Sequence, residues 1–215
     1  MKSYVITIEH NPASVAIAER CIASGQKFGI EIQKWSAYSP EQDDVYAVAA
    51  EFGINPKNFK EIWSRADRCT AAFLSHFRLW WRSTLLNEEI QIFEHDAVIV
   101  NKIPEFIDYK GCISLGKPSY GRWNTPSTIG VNPLTSKRYF PGAHAYRIKP
   151  ATAQLLIDRA KQSAGPTDVF LHVDNFPFLE EYYPWPVEVQ ETFTTIQNEN
   201  GVKAKHGYND KYKII

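Results

Sequence analysis

A chain of 215 residues, 44% hydrophobic and 22% charged, is long enough for one sizeable α/β domain, and a second full domain is not expected. Its 24 basic and 24 acidic residues cancel, which argues against the broad basic surface that binding to duplex DNA or RNA requires. We therefore expect no nucleic-acid partner.

The cysteines and the hydropathy pattern bear on the cellular compartment. Cys21, Cys69 and Cys112 are few and far apart, which fits a reduced compartment better than a disulfide framework. Glu9 and His10 interrupt the short apolar run at the N-terminus, which is not typical of a signal peptide. No segment approaches the roughly 18 uninterrupted apolar residues of a transmembrane helix. We expect a cytoplasmic protein with no integral membrane segment.

The first part of the chain predicts a βαβ unit. Residues 3–8 are rich in β-branched and aromatic side chains and indicate a buried strand. A helix is expected over 13–23, capped by Asn11 at its start and closed by Gly25. Residues 30–35 alternate between apolar and polar side chains and indicate a second strand. Strand, helix and strand in this order imply a parallel pair.

The next segment, 39–68, is less informative. A helix is expected over 45–52, and a short helical turn over 58–63. We interpret the whole segment as a surface excursion that fills out the fold.

Residues 66–86 predict a long amphipathic helix. Cys69, Phe73, Phe77 and Trp80 lie on or near one face at helical spacing, and His76 lies among them. A histidine in that position is either a hydrogen-bonded packing residue or part of a site, and the spacing alone does not decide between the two.

An acidic motif follows the predicted strand 90–93. Two carboxylates, Glu94 and Asp96, flank His95, and burying them unpaired would be costly unless a cation or a set of donors lies against them. In extended backbone the two carboxylates would point the same way and His95 away from them. The motif by itself fits two alternatives, a site for Mn²⁺ or Mg²⁺ at the carboxyl end of a strand or a turn with solvated carboxylates, and its spacing does not favour the cation.

The second half of the chain alternates short elements with one long connection. Strands are expected over 112–115 and 143–148, and a helix over 151–161. The connection 116–142 has no clear periodicity but is rich in glycine, proline, aromatic and basic residues. It predicts an active-site loop that closes over a ligand, or a covering loop whose aromatic side chains plug the fold. Residues 197–215 are expected to form a mobile tail.

Several of these motifs, in the same order, resemble glycosyltransferase family 25, which is associated with lipopolysaccharide synthesis and collagen modification. The resemblance spans about residues 3–196, nearly all of the expected domain, residues 1–196. Its motifs are Cys69, Leu74-Ser75-His76, Ile92-Phe93-Glu94-His95-Asp96, Gly142 to Tyr146, Gly165-Pro166-Thr167-Asp168, and Val187 to Ile196. The chain departs from the family at His95, where the family has aspartate, and at Glu9-His10-Asn11, where it usually has an Asp-Arg pair.

The resemblance implies a GT-A type domain with a mixed, mostly parallel sheet flanked by helices. It implies metal-assisted, inverting transfer of a hexose from a nucleotide-sugar donor, with UDP as the nucleotide, to a glycan or other hydroxyl acceptor. The implied metal ligands are Glu94 and Asp96, and the implied general base is Asp168, with His144 as second choice. Donor contacts fall on Ile8, Glu9, His76, Phe93 and His95, and acceptor or lid contacts on Tyr120, Trp123 and Arg138. The alternative is a non-catalytic nucleotide- or sugar-binding protein with the same fold.

Overall fold

The computed structural model describes residues 1–59, 64–190, 193–196 and 213–214. In chain order the described strands are β1 (Lys2–Thr7), β2 (Ile32–Ser36), β3 (Ile90–Glu94), β4 (Ala97–Ile99), β5 (Cys112–Ser114), β6 (Gly130–Pro133), β7 (Ala145–Ile148), β8 (Glu180–Tyr183), β9 (Val187–Val189), β10 (Phe193–Thr194) and β11 (Lys213–Ile214). The described α-helices are α1 (Pro12–Gln26), α2 (Val45–Glu51), α3 (Ala66–Leu86), α4 (Pro150–Gln162) and α5 (Thr167–Phe170), and Pro56–Asn58 is a short 3₁₀ helix.

Seven strands form one mixed sheet in the order β2-β1-β3-β7-β5-β8-β6. The pairs β1–β2, β1–β3 and β5–β8 are parallel, whereas β3–β7, β5–β7 and β6–β8 are antiparallel. The expected α/β domain with a mixed sheet flanked by helices is confirmed, but a mostly parallel sheet is wrong. Helices connect β1, β2 and β3, and such crossovers allow neighbouring strands to be parallel. Residues 95–144, all of them described, contain no helix, and β7 runs antiparallel to β3.

The connection 116–142 is more regular than its sequence predicts. Gly130–Pro133 forms β6, which pairs with β8 as the last strand of the central sheet. The expectation of an irregular loop is therefore wrong for this stretch. Its strand character depends on a partner about fifty positions away, which no local period reveals.

Helix α1 begins where the sequence predicts but ends later. Asn11 Oδ1 accepts hydrogen bonds from two backbone N–H groups of the first turn, at 3.0 and 3.2 Å. The helix continues through Gln26, so the expectation that Gly25 closes it is wrong. A Cβ at position 25 would lie 2.6 Å from Cδ1 of Ile32, so this glycine allows close packing of α1 against β2.

The predicted bounds of the long helix, 66–86, are confirmed at both ends. The apolar face that includes Phe73, Phe77 and Trp80 is buried. The helix ends at Asn87, which adopts the left-handed conformation with φ 50°. Asparagine tolerates this conformation better than most residues, so it terminates α3 as glycine often does.

Alternating side chains of the sheet build two cores, one on each face. Tyr4 and Ile92 point to the face covered by α2, α3 and α4. Val5 and Phe93 point to the opposite face, which is covered by α1 and β4. The connection from β1 to β2 therefore crosses one face of the sheet, and the connection from β2 to β3 crosses the other.

The segment 39–68 contributes to the core, so its interpretation as a surface excursion is wrong. Val45, Ala49 and Ile54 are buried, and α2 packs on α3. The helical turn expected over 58–63 falls largely outside the described residues.

Other expectations concern the tail, the membrane and the cysteines. Most of 197–215 lies outside the described residues, but Lys213–Ile214 pairs in parallel with β10. Within the ranges that the structure describes, no helix combines the length and the apolar character needed to cross a membrane. The three cysteine thiols are all buried, in different parts of the fold.

A buried glutamate ties the segment after β6 to the sheet. Glu181 in β8 is 1% exposed, and its Oε1 accepts hydrogen bonds from the backbone N–H groups of Thr135 and Ser136 at 2.8 and 2.7 Å. Its Oε2 accepts a hydrogen bond from Trp185 Nε1 at 3.2 Å. The carboxylate therefore satisfies donors on both sides.

Replacing Glu181 by glutamine is expected to lower the free energy of unfolding by about 1–3 kcal/mol, because one end of the amide must present N–H to another donor. Urea unfolding measures the change. Glu188→Gln is the control, because that side chain is 41% exposed, and its effect is expected to stay within about 0.5 kcal/mol. An equally small effect for Glu181→Gln would contradict the prediction.

Candidate active site

The candidate site lies at the carboxyl ends of the parallel strands β1 and β3. The crossovers around β1 use opposite faces of the sheet, and ligands of open α/β sheets bind where the direction of winding reverses. A cavity of about 460 Å³ occupies this place. Its walls include the face of α3, the turn after β3, and residues 119–120, 166–169 and 193–196.

Seven of the residues predicted for the site line this cavity. They come from the end of β1, from α3, from the turn after β3, from the connection after β5 and from α5. They are Ile8, His76, Glu94, His95, Asp96, Tyr120 and Asp168. The fold thus brings the acidic motif and Asp168 to one cavity, and the roles assigned to them stay predictions.

Five other predicted site residues are described by the structure but do not line the cavity. They are Glu9, Phe93, Trp123, Arg138 and His144. Phe93 is fully buried on the α1 face, because it alternates with Glu94 along β3. Arg138 is exposed and forms an ion pair with Asp174.

A chain of hydrogen bonds runs from the core to Glu94. Trp80 Nε1 donates to the Tyr146 hydroxyl at 2.8 Å, and this hydroxyl lies 2.8 Å from His76 Nδ1. His76 Nε2 lies 3.1 Å from Glu94 Oε1. Burial lowers the pKa of His76 to about 3, so the ring is neutral and carries one proton. Because an ionised carboxylate only accepts, Nε2 must hold that proton and Tyr146 must donate to Nδ1.

The turn after β3 places Glu94 and His95 against different helices. The strand ends at Glu94, and His95 and Asp96 form the turn before β4. Glu94 contacts His76 of α3, whereas His95 Nδ1 lies 2.6 Å from Ser14 Oγ of α1. The prediction that extended backbone directs both carboxylates the same way is therefore wrong in its premise. Both nevertheless line the cavity.

Asp96 is the better candidate for a metal ligand. Its Oδ1 is buried and has no hydrogen-bonding partner among the described residues, a costly state unless a cation or donor satisfies it. Glu94 already accepts a hydrogen bond from His76. Within the described ranges, no group of three or more His, Cys, Asp or Glu is arranged to hold a metal. One carboxylate does not hold a metal by itself, so a Mn²⁺ or Mg²⁺ ion at Asp96 would need further oxygen ligands, such as those of a bound phosphate.

Asp168 in α5 lines the cavity, and two hydrogen bonds orient its carboxylate. The Tyr120 hydroxyl donates a hydrogen bond to Oδ2, and the backbone N–H of Val169 donates to Oδ1 at 2.8 Å. Burial, reinforced by the charge of Asp168, keeps the pKa of Tyr120 far above its usual value. Tyr120 therefore remains protonated and ties the connection after β5 to Asp168.

His144 is enclosed between two glycines rather than exposed to the cavity. A Cβ at position 116 would lie 2.3 Å from its Nε2, and a Cβ at position 142 would lie 3.0 Å from its Nδ1. Neither ring nitrogen has a hydrogen-bonding partner at normal distance among the described residues. Burial lowers the pKa of His144 to about 4, so the ring is neutral near pH 7.

Acidification from pH 7.5 to pH 5 is expected to lower the free energy of unfolding by roughly 2 kcal/mol for each of His76 and His144. Their pKa values in the folded state, about 3 and about 4, lie below the ordinary 6.5 of the unfolded chain. As the pH falls below 6.5, the unfolded state therefore binds protons first, and the folded state loses stability down to the folded pKa values.

Urea unfolding at both pH values measures this loss. In a His76→Gln variant the loss should be smaller by about the contribution of one histidine. A loss equal to that of the wild type would contradict the prediction for His76.

Arg68 also lines the cavity, although it is not among the residues predicted for the site. Arg68, Ala72 and Ser75 follow one another at helical spacing on α3 and share a face with His76. Extending that face by two turns from His76 would have found Arg68. Tyr38 and Tyr139 also line the cavity, but they lie outside the helices and strands, where no period indicates their direction.

Comparison with known proteins adds no further identification. A scan against protein-family models found none that matches the chain. A search of curated proteins found no significant sequence similarity.

Proposed function

We propose that the protein is a glycosyltransferase of the GT-A type that moves a hexose from a nucleotide-sugar donor to a glycan or another hydroxyl acceptor. We infer UDP as the nucleotide and the cytoplasm as the compartment. The motifs shared with glycosyltransferase family 25 motivate this proposal.

The observation that carries the proposal is the convergence of Asp96 and Asp168 on one cavity at the carboxyl ends of β1 and β3. Asp96 presents a buried carboxylate oxygen without a hydrogen-bonding partner among the described residues. Asp168 comes from α5, more than seventy positions away in the chain. A cavity with a candidate cation ligand and a separate oriented carboxylate has the parts that sugar transfer from a diphosphate needs.

In the proposed reaction, an acceptor hydroxyl attacks the anomeric carbon of the donor sugar and the nucleoside diphosphate leaves. Asp168 accepts the proton of that hydroxyl as general base, oriented by the hydrogen bond from Tyr120. His76 holds the Glu94 carboxylate in place through its Nε2–H group. A Mn²⁺ or Mg²⁺ ion held by Asp96 would supply charge stabilisation for the leaving diphosphate.

Turnover of a panel of nucleotide sugars in the presence of Mn²⁺, detected as release of the free nucleoside diphosphate, tests the proposal. Simple glycosides and hydroxylated small molecules serve as acceptors. Release that depends on both donor sugar and acceptor supports glycosyl transfer. Absence of turnover across the panel would contradict it.

A non-catalytic nucleotide- or sugar-binding protein is the second candidate. Both oxygens of Asp168 accept hydrogen bonds, which stabilises the carboxylate and weakens it as a base. This observation favours binding without chemistry. Saturable binding of a nucleotide sugar without turnover would select this candidate.

A further inference from the structure

The charge of the cavity does not suit an anionic ligand by itself. Three carboxylates line it, those of Glu94, Asp96 and Asp168, whereas Arg68 is the one Lys or Arg among the described lining residues. Burial lowers the pKa values of His76 and His95, so neither adds a positive charge near pH 7. A phosphate group entering this cavity therefore has Arg68 as its cationic protein contact among the described residues.

Arg68 is at present held by a carboxylate outside the cavity lining. It lies in the first turn of α3, with its side chain 22% exposed, and its guanidinium forms an ion pair with Glu41. The Glu41 side chain is 41% exposed and does not line the cavity. Ion pairs with this much exposure to water contribute little to stability, so exchanging the partner of Arg68 costs little.

The segment before α2 holds Glu41 in position as an ionised carboxylate. The Ser39 hydroxyl donates a hydrogen bond to it, and Ser39 is itself buried and bonded to Asp43 through its backbone N–H at 2.8 Å. Burial alone would raise the pKa of Glu41. The hydrogen bond from Ser39, a hydrogen bond with the backbone of Glu41 itself and the positive charge of Arg68 outweigh burial and lower that pKa. Glu41 is therefore a charged competitor for Arg68 near pH 7.

We propose that Arg68 binds the diphosphate group of the ligand and that Glu41 occupies its guanidinium until that anion arrives. A guanidinium offers several donors in a planar fork that matches phosphate oxygens, and a diphosphate carries more charge than one carboxylate. When the diphosphate replaces Glu41 at Arg68, the Glu41 carboxylate is solvated by the water that already reaches it. The inference rests on the proposed function only in taking the ligand to be a nucleoside diphosphate.

Calorimetric titration with inorganic pyrophosphate and with UDP, in EDTA and at low ionic strength, isolates the contribution of Arg68 from that of a metal. Arg68→Gln is expected to weaken binding of both probes about tenfold or more, as loss of a charged hydrogen bond does. Glu41→Gln is expected to tighten binding by up to roughly fivefold, the strength of an exposed ion pair. In the Glu41→Gln/Arg68→Gln double variant this gain should disappear, because the competitor acts through Arg68.

Glu88→Gln is the matched control. Glu88 is also 41% exposed and pairs with Lys2, near the amino ends of β3 and β1, away from the cavity. The Glu88→Gln substitution removes one negative charge without touching Arg68. If it tightens binding of the probes as much as Glu41→Gln does, the effect comes from net charge alone and the inference is overturned. Arg68→Lys keeps the positive charge but lacks the planar fork of guanidinium donors. Circular dichroism confirms that each variant is folded.

The outcomes separate this inference from the proposed function. Unchanged binding in Arg68→Gln, beside normal transfer of sugar by the wild type, would overturn the inference and leave the function standing. Arg68-dependent binding of pyrophosphate and UDP without turnover of any nucleotide sugar would support the inference and contradict the transferase. Failure of the wild type and of Glu41→Gln to bind either probe would overturn the inference.

Discussion

Replacing Asp168 by asparagine is expected to lower the turnover of the nucleotide-sugar donor by about 10²–10⁴-fold, the contribution of a general base. The amide keeps the size of the side chain and still accepts the hydrogen bond from Tyr120, but it cannot take the proton of the acceptor hydroxyl. Binding of the donor should stay nearly intact. The rate of nucleoside diphosphate release measures the first quantity, and calorimetric titration of the donor measures the second.

Two further variants sharpen this test. Asp158→Asn changes an exposed carboxylate on α4 that does not line the cavity, and its turnover should equal that of the wild type. Tyr120→Phe removes the hydroxyl that donates to Asp168. Because the carboxylate then loses a stabilising hydrogen bond, the acidic limb of the pH–rate profile should move to higher pH. Wild-type turnover in Asp168→Asn would remove this residue from the mechanism.

Binding of UDP is expected to be about 10–100-fold tighter with Mn²⁺ than with EDTA, and Asp96→Asn should abolish most of this difference. The reason is the buried Oδ1 of Asp96, which has no hydrogen-bonding partner among the described residues and would be satisfied by a cation shared with the phosphates. Titration of UDP under both conditions measures the difference for each protein.

Glu94→Gln should have a smaller effect on the metal dependence than Asp96→Asn. Its carboxylate already accepts a hydrogen bond from His76, and a glutamine oxygen can still accept it. Asp158→Asn again provides the control. Equal affinity for UDP with Mn²⁺ and with EDTA in the wild type would contradict a metal-dependent site and favour metal-independent binding.

Much of the local structure could be predicted from neighbouring residues alone. The bounds of α3 follow from apolar side chains at helical spacing, and the start of α1 follows from the capping oxygen of Asn11. The strand β3 and the acidic residues after it were also evident. These features depend on contacts within one or two turns of a helix, or on a local period of two along a strand.

Features that depend on distant partners could not be predicted in this way. By local rules, Gly25 indicates the end of a helix. In the structure, its lack of a Cβ instead allows α1 to pack closely against β2. The strand β6 exists because β8 pairs with it and Glu181 satisfies the N–H groups that follow. The start of β4 sets the turn at His95, so the prediction of extended backbone is wrong beyond Glu94.

The sequence by itself determined the α/β class, the long helix α3 and the presence of an acidic motif at the end of a strand, because these follow from periodicity and side-chain chemistry. Only the tertiary structure decided which residues meet. It brought Asp168 and Arg68 to the cavity of the acidic motif, enclosed His144 behind two glycines and directed Phe93 into the opposite core. The reason is that sheet order, and the face to which each side chain points, depend on pairing between segments many tens of residues apart.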